Sequence, residues 1–383
     1  MKRLAILGST GSIGVNTLDV ISRSKDKFEV VALSADSNIE LLSKQADKFN
    51  PKAVSVRDGI LARKIRRLVP SKTKVLSGID GLKEIVARPD VDLIVFAVSG
   101  SACVIPLIEA IEKKKEIALA NKESLVAAGA IITKKAAENN VNIIPIDSEH
   151  SAIFQCLEGK RGSLSRIYLT GSGGPLLNVP KAKFDSMPRK FILNHPKWKM
   201  GRKISVDSAT MMNKGLEIIE AKWLFGMDES AIDVLIHPEA IIHSMIELVD
   251  GTVFGQMGVP DMRIPIQYAL TYPARSKNIA KRLDFRKIGR LTFQKPDIGK
   301  FPCLGLSRDA IKSGGTYPAV LNGSDEEAVK DYLEGSIKFS DIPRIIEKVL
   351  ARHRGAGKRS PSLGEIFEAE EWAKEETRSL CYR

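Results

Sequence analysis

Over the first 146 residues, apolar positions fall in short unbroken runs separated by stretches of helical spacing. Leu4, Ala5, Ile6 and Leu7 form a run that ends at a glycine, and residues 15–22 then return apolar side chains every three or four positions. A second run at 29–33 precedes a helix through Ile39, Leu42 and Ala46. Runs at 53–56, 93–98, 116–120 and 142–146 continue the series. Alternation would mark strands with one wet face; unbroken runs mark strands covered on both faces. With helices between them they predict a parallel, doubly wound α/β sheet.

The pattern changes after residue 146. Strand-like runs at 166–169, 232–236 and 253–257 mix with one long helix near 208–225 and a basic, proline-containing loop at 188–202, which predicts an α+β domain over 147–288. A Gly/Pro-containing linker at 289–302 leads to a helical C-terminal domain over 303–383, with helices at 326–333, 343–352 and 363–380 and a flexible loop at 354–362. The longest apolar stretch, 93–108, is broken by Ser99, Gly100, Ser101 and Pro106. It reads as a strand, a loop and a helix start, not a membrane span. No repeat or low-complexity segment is present.

Composition sharpens this reading. A chain of 383 residues, 43% hydrophobic and 27% charged, has enough apolar material for large buried cores and is neither collagenous nor disordered. Its four cysteines, Cys103, Cys156, Cys303 and Cys381, lie far apart and form no C-x-x-C pair, so neither a zinc site nor a disulfide framework is indicated. Reduced thiols and the lack of a signal-like apolar run after Lys2 and Arg3 lead to the expectation of a cytoplasmic protein with no membrane partner. The net charge of +13 is concentrated in two places. Residues 181–203 carry eight basic side chains and one acid, and residues 275–300 carry nine and two. Such clusters suit phosphates, including those of nucleic acids, but also suit a solvated surface or an anionic small-molecule site. The first cluster contains His195 and Trp198 and favours a small anion; no nucleic-acid partner is expected.

Gly8, Gly11 and Gly14 lie between a predicted strand and a predicted helix, where a Rossmann-like domain receives a dinucleotide pyrophosphate on the helix N-terminus. The spacing is one residue longer than the usual fingerprint between the first two glycines. Asp36 follows the second strand, where a carboxylate suits a free ribose 2′-hydroxyl; Ser37 and Asn38 are alternative donors to a 2′-phosphate. Asp147 and Glu149, two apart after the last strand, would present two carboxylates to one point if extended; the alternative is a helix cap. In the predicted helix after Asp207 or Ser208, residues Asn213, Lys214 and Glu217 share neighbouring stripes, as an ion pair or as part of a site. Gly215 costs this helix about 1 kcal/mol relative to Ala, which close approach by a ligand or another backbone would explain. Asp147, Glu149 and Glu217 together would make an all-oxygen site for Mg²⁺ or Mn²⁺. Residues 169–175 form a small-residue loop that suits an anion or a simple turn. Residues 195–201 suit a lid over a ligand, or a Trp packed on the surface. No role is assigned to His237 and His243.

At these positions the chain resembles the 1-deoxy-D-xylulose 5-phosphate reductoisomerases. The likeness is carried by GSTGSIG at 8–14, ANKESLV at 120–126, PIDSEHSAIFQ at 145–155, LTGSGGP at 169–175, MGRKISVDSATMMNKGLEIIEAKWLF at 200–225, HPEAIIHSM at 237–245 and PDMRIP at 260–265. The resemblance implies a homodimeric, NADPH-dependent enzyme that isomerises and reduces a phosphorylated sugar with a divalent metal, Mg²⁺ or Mn²⁺ and possible use of Co²⁺. It implies Asp147, Glu149 and Glu217 as metal ligands and Ser172, Ser208, Asn213 and Lys214 as the phosphate site, with His195 nearby. Lys122 and Ser148 would meet the hydroxyl end of the substrate. Thr10, Gly11, Ser12, Ile13, Asn121, Glu123 and Gly201 would hold the cofactor, Met262 would line the nicotinamide pocket, and Trp198 and Met200 would lie on a mobile lid. Asp36 and Ser37 stand where the family often has glycine and a basic residue, which implies NADPH use with a weakened 2′-phosphate grip.

Overall fold

The computed structural model describes every residue except 25, 199, 278, 356–359 and 382–383. The loop expected at 354–362 thus lies partly outside the described residues. The described residues group into two compact units, 1–124 with 131–151 and 261–281, and 125–130 with 152–260 and 282–383.

The first unit is built on seven strands: β1 (Lys2–Leu7), β2 (Phe28–Ser34), β3 (Ala53–Val56), β4 (Lys74–Ser77), β5 (Leu93–Phe96), β6 (Glu116–Leu119) and β7 (Ile143–Pro145). Their order is β4-β3-β2-β1-β5-β6-β7, every pair parallel. The helices α1 (Ser12–Ser22), α2 (Ile39–Phe49), α3 (Gly59–Ile65), α4 (Gly78–Ala87), α5 (Val104–Glu112) and α6 (Lys122–Glu138) follow the successive strands. Leu4–Leu7 and Leu93–Phe96 are almost fully buried, as unbroken apolar runs require. The order reverses between β1 and β5, and a doubly wound sheet binds its ligand at the carboxyl ends beside such a reversal. Six of these strands are those expected; β4 is additional. The last strand leads into α7 (Ser148–Cys156).

The second unit holds a mixed sheet of β8 (Leu164–Gly171), β9 (Ile232–Ile236), β10 (Ile242–Leu248) and β11 (Val253–Met257), in the order β11-β10-β8-β9. The short α8 (Arg189–Ile192), then α9 (Arg202–Thr210) and α10 (Met212–Phe225), lie between β8 and β9. Ile167, Leu169, Ile232 and Ile246 of the sheet share a core with Leu216, Ile218 and Ile219 of α10. The single helix expected over 208–225 is two helices. Met211 stops α9 in the left-handed region (φ 61°), a conformation costly for a residue with a Cβ and unmarked by any glycine.

After β11 the chain returns to the first unit, where α11 (Arg263–Thr271) packs on α1 and Arg263 binds Asp19 at 3.1 Å. The continuous ranges drawn from the sequence do not include this return, because a helix that leaves one core for another carries no local signal of it. The remaining helices, α12 (Cys303–Ser313), α13 (Tyr317–Glu334), α14 (Asp341–Arg352) and α15 (Leu363–Cys381), belong to the second unit. No helix among the described residues is long and apolar enough to cross a membrane.

Helix α12 explains Gly215. A Cβ there would stand 2.0 Å from Ser307 Oγ and 2.6 Å from Ser307 Cβ, so the close approach is that of a neighbouring helix. Overpacking of this kind costs about 1–3 kcal/mol, against about 1 kcal/mol gained in helix propensity. Gly215→Ala therefore lowers the denaturant midpoint, and adding Ser307→Gly recovers part of the loss. An unchanged midpoint in the single variant would contradict the packing.

Candidate active site

In the first unit, Thr10, Gly11, Ser12 and Ile13 form the turn from β1 into α1. Gly8 (φ 84°) and Gly14 are required for packing: a Cβ would meet Ala97 O at 2.4 Å and Gly8 O at 2.3 Å respectively. Gly11 is different. Its Cβ would meet nothing nearer than 3.4 Å, it N-caps α1, and no side chain caps that helix. The exposed backbone N–H groups of this end form a cradle suited to a pyrophosphate.

Asn121 caps α6 by accepting from Ser124 N at 2.9 Å, and its amide donates to Val98 O (2.8 Å), Gly100 O (3.0 Å) and Glu123 Oε2 (2.9 Å). This fixes the following residue, Lys122, whose buried ammonium lies 3.0 Å from Asp147 Oδ2. Residues 147–149 are not extended as expected. Ser148 begins α7, so Glu149 sits in a first helical turn and Asp147 Oδ1 accepts its N–H at 3.2 Å. The capping alternative thus describes the backbone contacts of Asp147, while its other oxygen faces Lys122. His150 Nδ1 lies 2.9 Å from Asp147 Oδ1, and Ser148 Oγ donates to Glu149 Oε2 at 2.6 Å. His150 had no role in the sequence reading; buried beside a candidate ligand, it orients that carboxylate. Asp36, Ser37 and Asn38 follow β2, with Asn38 capping α2, and Met262 caps α11.

In the second unit, residues of four segments gather. Lys214 Nζ, buried on α10, donates to Thr170 O at 2.8 Å and to Glu217 Oε2 at 2.6 Å, and Asn213 donates to the other oxygen of Glu217. Gly174 backs onto α9 so closely that a Cβ would meet Ser208 O at 2.6 Å, which sets the 171–175 loop beside Ser208. Ser172 Oγ and His195 Nε2 are 3.0 Å apart. His195 Nδ1 accepts the N–H groups of Lys197 (3.2 Å) and Trp198 (3.0 Å), so the ring proton is on Nε2 and donates to Ser172. That leaves the Ser172 hydroxyl proton to be offered to an anion. Gly201 caps α9, and the Trp198 ring lies 5.9 Å from that of His243. Lys199, within the expected lid, is outside the described residues. Sequence reading missed Thr170, whose contribution is a main-chain carbonyl that no side-chain motif reveals.

Burial, with the charge of Lys214 adding to it, pushes the His195 imidazole down to about 4. An ordinary histidine takes up its proton near 6.5. Between those values the unfolded chain binds a proton that the native one refuses, so this group removes stability as pH falls through about 6.5 towards 4. An imidazole NMR titration is expected to find His195 neutral and Nε2-protonated at pH 6; a midpoint near 6.5 would contradict the geometry.

The two basic clusters are partly spent on local pairing. Lys203 binds Asp207 and Asp325, both at 2.7 Å; Lys300 donates to Leu177 O, and Arg275 lies over the Tyr268 ring.

A doubly wound parallel sheet with a glycine-rich first turn, helix-mounted carboxylates and a serine–histidine–lysine group define the class: an α/β enzyme on a dinucleotide-binding framework. Comparison with known proteins makes this particular. Profiles described as 1-deoxy-D-xylulose 5-phosphate reductoisomerase match residues 4–129, its C-terminal domain matches 143–225, and the DXP reductoisomerase C-terminal domain matches 257–376. The 1-deoxy-D-xylulose 5-phosphate reductoisomerase of Acetivibrio thermocellus is 50% identical over 376 residues, covering 98% of each chain. That of Chlorobaculum tepidum is 46% identical, covering 99% of this chain and 100% of its own. A crystal structure of DOX-P reductoisomerase with NADPH, fosmidomycin and magnesium aligns with TM-score 0.95 at 36% identity, over 100% of this chain and 98% of that one. The Zymomonas mobilis enzyme with NADPH aligns at 0.91 and 39% identity, over 99% of each. The chain belongs to the 1-deoxy-D-xylulose 5-phosphate reductoisomerase family.

Proposed function

We propose that this chain converts 1-deoxy-D-xylulose 5-phosphate to 2-C-methyl-D-erythritol 4-phosphate, isomerising the carbon skeleton and reducing the resulting aldehyde, with NADPH and a divalent cation, in non-mevalonate isoprenoid synthesis. The observation that carries this reading is family membership over nearly the whole chain; the Lys214–Glu217 and Lys122–Asp147 pairs, one in each unit, are in keeping with it.

Both cofactors suit the residues present. The uncapped N-terminus of α1 and the open Gly11 fit a pyrophosphate, and Asn121, Glu123, Gly201 and Met262 are assigned to the remainder of NADPH. Asp147, Glu149 and Glu217 are hard oxygen donors, the kind Mg²⁺, Mn²⁺ or Co²⁺ takes. Lysine ammoniums lie beside Asp147 and Glu217. When bound, the cation supplies Lewis acidity to the substrate's carbonyl and hydroxyl oxygens, and NADPH supplies the hydride.

The protein's own contribution is positional. Lys214, Asn213, Ser208 and Ser172 bind the substrate phosphate; His195, kept neutral, directs the Ser172 proton outwards. Holding the phosphate far from the reacting carbons spends remote binding energy on orienting them. Lys122 and Ser148 face the hydroxyl end, and Trp198 with Met200 covers the substrate and excludes water. The compartment is assigned as the cytoplasm and the assembly as a homodimer. Edge strand β11, with Val253 and Phe254 exposed, supports the second assignment. NMR identification of 2-C-methyl-D-erythritol 4-phosphate as product tests the function; NADPH consumption with a different product would overturn it.

A further inference from the structure

Asp36 follows the second strand, where a carboxylate suits a free ribose 2′-hydroxyl, whereas NADPH carries a 2′-phosphate. The structure offers a cation from another strand. Strands β2 and β3 are parallel with Ser34 opposite Ser55, so Asp36 and Arg57 leave the sheet side by side. Arg57 N donates to Asp36 O at 3.0 Å, and Arg57 Nη1 lies 3.4 Å from Asp36 Oδ2. The guanidinium is held from a second side by Asp58 Oδ2, 3.3 Å from Nε, and Asp58 is itself fixed as the cap of α3. Both ends of the Asp36–Arg57 pair are more than half exposed, so water screens it and the arginine is cheaply redirected.

This changes the meaning of Asp36. Unpaired, a carboxylate at the end of the second strand favours a 2′-hydroxyl and repels a 2′-phosphate; an arginine nearby accommodates the phosphate. Asn38 has its carbonyl oxygen engaged by Leu41 N–H at 3.1 Å, which leaves its amide side as the donor towards a ligand. We infer that Arg57 is the specificity-determining residue for the 2′-phosphate of NADPH in this chain, with Asp36 as its tether and Ser37 and Asn38 as supplementary donors. The inference rests on the functional reading above and adds the residue that selects between the two coenzymes. A planar guanidinium grips phosphate through paired N–H donors, and hydrogen bonds to charged groups are among the strong ones.

Calorimetric binding of NADPH and of NADH to the full chain tests this. Arg57→Ala is expected to weaken NADPH roughly ten- to a hundredfold and to leave NADH within about twofold, with Arg57→Lys recovering part of the loss. Equal affinity of the unsubstituted chain for the two coenzymes, an unchanged NADPH affinity in Arg57→Ala, or equal losses for both coenzymes would overturn the inference. NADPH oxidation with 1-deoxy-D-xylulose 5-phosphate by the unsubstituted chain is the control. Its absence would remove the functional reading and this inference with it, whereas its presence beside an unchanged NADPH affinity would remove this inference alone.

Discussion

Glutamine in place of Glu217 is expected to lower kcat for 1-deoxy-D-xylulose 5-phosphate by about a thousandfold or more. The substitution keeps the volume of a side chain that is 1% exposed and keeps an oxygen for Lys214, but removes a charged ligand from the proposed cation site. Lewis-acid stabilisation of developing oxyanions is worth several kcal/mol, and each 1.36 kcal/mol is about a decade in rate. The loss falls on kcat because the interaction strengthens as charge develops on the substrate oxygens. Steady-state kinetics at saturating Mn²⁺ check it; a kcat within about tenfold of the unsubstituted enzyme would exclude Glu217 from the ligand set.

The second large effect is at Lys214. Its ammonium is buried between Thr170 O and Glu217, and it is also assigned to the substrate phosphate. Lys214→Met keeps most of the stem and removes the charge. Breaking one side of a buried pair costs about 3–5 kcal/mol, so the metal-free protein should unfold at clearly lower denaturant. With Mn²⁺ present the Glu217 carboxylate regains a positive partner, and the stability loss should shrink. KM for the sugar phosphate should still rise by about a hundredfold, since a charge-assisted contact to phosphate is gone. Unfolding curves with and without Mn²⁺, together with KM, separate the two roles; an unchanged KM would leave Lys214 purely structural.

The sheet of the first unit was legible because its strands are apolar without interruption and each is followed by a helical pattern. Strand β4 was not: within Lys74–Ser77 only Val75 is buried, so no run announces it. The turn at Met211 was hidden for a related reason. A left-handed residue is usually signalled by glycine or asparagine, and here a buried methionine takes that conformation. The stripes of Asn213, Lys214 and Glu217 were nevertheless read correctly, because three- and four-residue spacing survives a change in where the helix starts. At Asp147 and Glu149 two carboxylates two apart fit either an extended chain or a helix start, and the structure shows the second of these alternatives. Gly215 was flagged as costly, and its explanation lies on Ser307, 92 positions away, where sequence alone had no means of looking. Spacing does not link Arg57, which follows β3, to Asp36, which follows β2; parallel register brings them together.

The most direct test of the central claim is reduced-nicotinamide oxidation with 1-deoxy-D-xylulose 5-phosphate, followed with Mg²⁺ or Mn²⁺ and again with excess chelator. Oxidation of NADPH that requires the metal, stops with chelator and returns when the metal is restored is the predicted result. Metal-independent oxidation, or none from demonstrably folded protein, would contradict it.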